Sequence, residues 1–142
     1  MPDDHHKPMD RKKLDELVGQ IENYLECLKQ FNASVTRARS KKSTEEDENQ
    51  FLELKSVLAQ QLELILAAVE CTSPSKEEVH TLLAGAPSLR SVSEQNETSL
   101  RGLENQWHKI YIGWQSNLGQ LKVQQRQSES RTFWSSLFSR KK

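Results

Sequence analysis

The chain has 142 residues, enough for one domain with a real core. Hydrophobic residues make up 35% of it and mean hydropathy is −0.78, and no apolar run nears the roughly 20 residues that a bilayer-spanning helix needs. Net charge is zero but uneven: from Arg126 onward five basic residues face Glu129 alone, which leaves the preceding body acidic and argues against nucleic acid as a ligand.

The first six residues, Met1 to His6, are polar and acidic, with no apolar stretch of the kind that heads a secretion signal. Residues 1–10 are therefore expected to be a disordered start, and the cytoplasm is the expected location. From Leu14 the pattern becomes helical. Leu14, Leu17, Ile21, Tyr24, Leu28, Phe31 and Val35 recur at steps of three and four, and Val18 and Leu25 widen the stripe. The basic run Arg37 to Lys42 suits the negative end of that helix.

A second helix is announced at Ser43-Thr44-Glu45-Glu46-Asp47-Glu48, where Ser43 with Glu46 or Thr44 with Asp47 forms a reciprocal cap. Its stripe runs through Phe51, Leu54, Leu58, Leu62, Ile65 and Val69. Leu64, Leu66, Ala67 and Ala68 make the far end apolar nearly all round, so something should cover it. The expected cover is a short helix opened by Ser73 as cap and Pro74 in its first turn, carrying Val79, Leu82 and Leu83 and ending at Gly85, with Pro87 beyond.

A long pattern follows: Leu89, Val92, Asn96, Leu100, Leu103, Trp107, Ile110, Trp114, Leu118 and Leu121. Asn96 lies on the stripe, where a polar residue fixes register and partner choice. The helices are thus expected at about 11–39, 44–71, 74–84 and 88–125. The expected fold is an all-α, elongated bundle of three long helices and one short one, with an antiparallel hairpin in the N-terminal half.

The chemistry-bearing residues are sparse. In an antiparallel hairpin turning near residue 42, Cys27 and Cys71 stand roughly 21 Å apart, beyond disulfide reach. No histidine is placed to activate either thiol. His80 and His108 lack the i, i+4 partner of a helical metal site, and His5 and His6 sit in the flexible start. Without a phosphate loop, nucleophile elbow or di-iron motif, the expectation is a protein that is not an enzyme and needs no cofactor or metal.

Two aromatic groups stand out. Trp107, Tyr111 and Trp114 share one helix face; they read as core, or else, with Ile112 beside them, as a second contact surface that would serve self-association into a homo-oligomer. Residues 126–142 read as a polar tether followed by an amphipathic peptide: Phe133, Trp134, Leu137 and Phe138 on one face, then Arg140, Lys141 and Lys142. These residues suit a protein partner, an anionic membrane surface or the chain's own bundle. A long helical hairpin, a further long helix and a C-terminal docking peptide make a plan similar to that of small flagellar and secretion export chaperones. That resemblance implies an adaptor that binds another protein through its tail.

Overall fold

The structure, a computed structural model, describes residues 10–69 and 73–140; of residues 132, 133, 135, 136 and 138–140 it describes the backbone alone. The described residues are 88% helical and hold five helices and no strand, so the protein is all-α. The helices are α1 (Arg11–Arg39), α2 (Glu45–Ala68), α3 (Lys76–Gly85), α4 (Leu89–Glu94) and α5 (Glu97–Arg140).

Every helix after α1 starts where a side chain satisfies one of its free N–H groups. Thr44 accepts from Asp47 N–H while the Asp47 carboxylate accepts from Thr44 N–H, a capping box that opens α2. The equivalent box of α3 pairs Ser75 with Glu78. This corrects the cap expected at Ser73: the carboxylate needed three residues on follows Ser75, whereas Lys76 follows Ser73. Between α1 and α2 the chain turns through Lys41, the one non-glycine residue with positive φ (60°) among the described residues. Its N–H and that of Ser40 close on Ala38 and Arg37 carbonyls, which finishes α1.

The single long pattern expected over 88–125 is two helices. Gln95 is extended, and the Asn96 side chain accepts from Ser99 N–H at 2.8 Å. Asn96 therefore caps α5 and plays no part in a stripe; asparagine favours this position because its short amide competes with the helical backbone. Gln95 donates to the Gly85 carbonyl at 2.9 Å, which ties the break to the end of α3.

Residues of α1, α2 and α5 dominate the core. Tyr24 donates to the Leu58 carbonyl at 2.9 Å, Phe31 packs against Phe51 with tilted rings 5.3 Å apart, and Arg37 pairs with Asp47 at 3.2 Å. Position thus rises along α1 as it falls along α2. The whole α1 stripe from Leu14 to Val35 is buried, with Ala38 beyond it. In α2 the buried residues are Phe51, Leu58, Leu62 and Ile65. The expected thick end of α2 is covered in part: α3 lays Val79, Leu82 and Leu83 into the core, yet Leu64 stays 56% exposed.

The carboxylates of the two boxes give the fold a pH dependence. Asp47 is held below its usual range by the Thr44 N–H and then by Arg37, and Glu78 by the Ser75 N–H and then by Lys109. Folded pKa values lie below unfolded ones, so the stabilisation is complete above the ordinary carboxylate range of about 4 and is lost as pH falls through the folded values. Melting temperature should therefore fall between about pH 6 and pH 3, and fall less in an Asp47→Asn, Glu78→Gln variant.

Candidate docking site at the end of the long helix

α5 has 44 residues and α1 has 29, about 66 Å and about 43 Å at 1.5 Å per residue. Their register is read from contacts along the pair. Arg39 meets Glu97 and Glu104 at 3.6 Å each, Lys122 meets Glu22 at 3.6 Å, Gln125 donates to Asp15 at 2.8 Å, and Arg11 meets Glu129 at 3.5 Å. The start of α1 therefore lies beside residue 129. Residues 130–140 of α5 run on past it for about 16 Å.

This placement revises the tether expected at 126–131. Gln124 to Arg131 is polar, but glutamine, arginine and glutamate are good helix formers, and neither glycine nor proline occurs between Gln120 and Arg140. Polarity here reflects a solvated helix rather than a break, so the aromatic tail is carried on α5 itself.

Of the expected anchors, Trp134 is 52% and Leu137 36% exposed, and neither belongs to the buried core, whose last member on α5 among the described side chains is Leu121. Phe133 and Phe138 are in the same helix, their side chains outside the described set. Arg140 ends α5, and Lys141 and Lys142 lie outside the described residues, as do Cys71, His5 and His6.

The residues of the second expected surface differ in burial. Trp114 is fully buried and packs edge-on against Tyr24, ring centres 5.6 Å apart at 62°. Its place on α5 turns it to the core with Ile110 and Leu121, so it presents nothing to a partner. Trp107 is half-buried, donates to the Leu28 carbonyl at 2.7 Å, and stacks on Tyr111 at 4.8 Å. That hydrogen bond commits Trp107 to α1. Ile112 faces solvent.

Elsewhere, the turn between α1 and α2 and the start of α4 enclose a cleft of about 1040 Å³, bordered by Lys41, Glu45, Glu48, Leu89 and Arg90, which sequence reasoning did not find. Glu48 is already used there, accepting from Leu89 N–H at 2.7 Å. Cys27 is half-buried and burial pushes its thiol up, toward the protonated form. Among the described residues no three His, Cys, Asp or Glu side chains converge on a metal position. No described helix is long and apolar enough to cross a membrane. Set against family models, curated proteins and solved structures, the chain matches none.

Proposed function

We propose that this protein is a non-enzymatic helical interaction module, adaptor-like or export-chaperone-like, that works in the cytoplasm by docking a partner protein through the end of α5. Phe133, Trp134, Leu137 and Phe138 are the anchors; Arg140, Lys141 and Lys142 orient the partner. The scaffold is a bundle in which α1 and α2 form an antiparallel hairpin and α5 lies along α1. The supporting observation is the overhang: α5 continues beyond the start of α1 with Trp134 and Leu137 exposed.

Energetics favour this arrangement over a loose peptide. Burying four such side chains is worth about 1.5–3 kcal/mol each. Ordering a free peptide costs about 1–2 kcal/mol per residue. A tail already helical has met most of that cost before the partner arrives, which strengthens binding without new contacts. The aromatic and basic composition also suits an anionic membrane surface, the second reading.

Pull-down with full-length protein and with a chain truncated after Ser130 tests the proposal. Full-length protein should recover a partner that the truncated chain does not. Equal recovery by both would contradict it. Co-sedimentation of the full-length chain with vesicles rich in phosphatidylserine should show no binding; strong binding lost on truncation would favour the membrane reading instead.

A further inference from the structure

α5 carries a second apolar line that lies outside the core. Ile112 and Val123 are 51% and 48% exposed, and with Trp134 they stand eleven residues apart. Eleven residues make three turns with a drift of about 20°, so the line runs almost parallel to the helix axis for about 33 Å. Its side of the helix is the one turned away from Leu103, Ile110, Trp114 and Leu121. Leu137 prolongs it, and the exposed Ser116, Gly119 and Ser130 between its members leave room for a neighbouring backbone to come close.

Charge is sorted around the same helix. Its acids Glu97, Glu104 and Glu129 are engaged by Arg39 and Arg11 of α1. Arg126 and Arg131 flank the outer line, both exposed, each three residues from one of its apolar members. Among the described residues no carboxylate stands on that side between Asn105 and Arg140.

We infer that this line is the seat of an acidic amphipathic helix from the partner protein, lying along α5 from Ile112 to Leu137. The inference rests on the reading that the end of α5 docks a protein and extends the contact up the helix. Charge selects the occupant. A second copy would set Arg126 and Arg131 against an equally basic face with no carboxylate to meet them. A membrane surface calls for a broad apolar face, whereas here serine, glycine and glutamine fill the turns between single apolar side chains. An acidic helix satisfies both the apolar line and its cations.

The test uses the full chain with p-benzoylphenylalanine placed singly at 112, 123, 134 or, as control, 64, expressed and irradiated in its host cells, with adducts mapped by mass spectrometry. Positions 112, 123 and 134 should join to one segment of one protein, net acidic with apolar residues at helical spacing, and position 64 should not. Arg126→Glu with Arg131→Glu should lower that yield about tenfold with circular dichroism unchanged. Adducts from 134 alone would refute the extended seat while leaving the proposed docking end intact. Adducts to a second copy, to lipid or to a basic segment would overturn the acidic-helix assignment. Absence of adducts at all three positions would overturn both readings.

Discussion

Trp114→Ala is expected to destabilise the protein by about 3–5 kcal/mol, the range for emptying a large aromatic site in a core. Trp114 has no exposed surface and touches the edge of Tyr24. Tyr24 in turn holds α2 through the Leu58 carbonyl, so one side chain of α5 keys α1, and through it α2. The indole N–H has no hydrogen-bond partner among the described residues. Trp114→Phe should therefore cost much less, because it keeps most of the packing and removes a buried donor that is not paired. Urea unfolding reads both values as shifts in midpoint at constant slope. A cost for the alanine variant below about 1 kcal/mol would place this residue outside the core.

The glycines of α5 should respond in opposite directions. A Cβ added at Gly113 would stand 2.8 Å from Cγ and 3.0 Å from Cδ of Pro74, a buried and rigid ring. Gly113→Ala should thus destabilise by about 1–3 kcal/mol, despite the helix propensity of alanine. A Cβ at Gly102 meets nothing within 4 Å. Gly102→Ala should raise stability by up to about 1 kcal/mol. The pair of melting curves checks whether Pro74 sits on α5 as described. Stabilisation by both substitutions would contradict that contact.

Much of the helical body was legible because periodicity reports burial directly. Every member of the α1 stripe is buried, and Thr44 with Asp47 was one of two caps the sequence offered for α2. The break before α5 was hidden for a physical reason. Leu89, Val92, Leu100 and Leu103 keep helical spacing across it, and an asparagine on a stripe looks the same whether it faces a neighbour or caps the next turn. The short helix starts two residues later than Ser73-Pro74 suggests, at the capping-box signal of Ser75-Lys76-Glu77-Glu78. The cover expected over the apolar far end of α2 stops short of Leu64, because the reach of α3 is set by packing and not by the apolar pattern.

The tail was legible in composition and not in geometry. Its apolar face stands out, whereas the polar residues before it read as frayed helix or tether alike, and only their helix propensity favours continuity. The reach of α5 past α1 follows from the register of the pair, which depends on tertiary contacts such as Arg11 with Glu129. Composition alone carries no such register.

On the proposed function, the bundle closes without the last turns of α5 and leaves them to a partner. Thermal melting of the chain truncated after Ser130, beside the full-length protein, separates this from a tail that completes the core. Among the described side chains the buried core on α5 ends at Leu121 and the ion pair to the start of α1 is made by Glu129, so both are retained in the truncated chain. The two melting temperatures should agree to within about 2 °C, the change that a few tenths of a kcal/mol produces in a domain of this size. A fall of about 8 °C or more would mean that the tail belongs to the core and would contradict the claim.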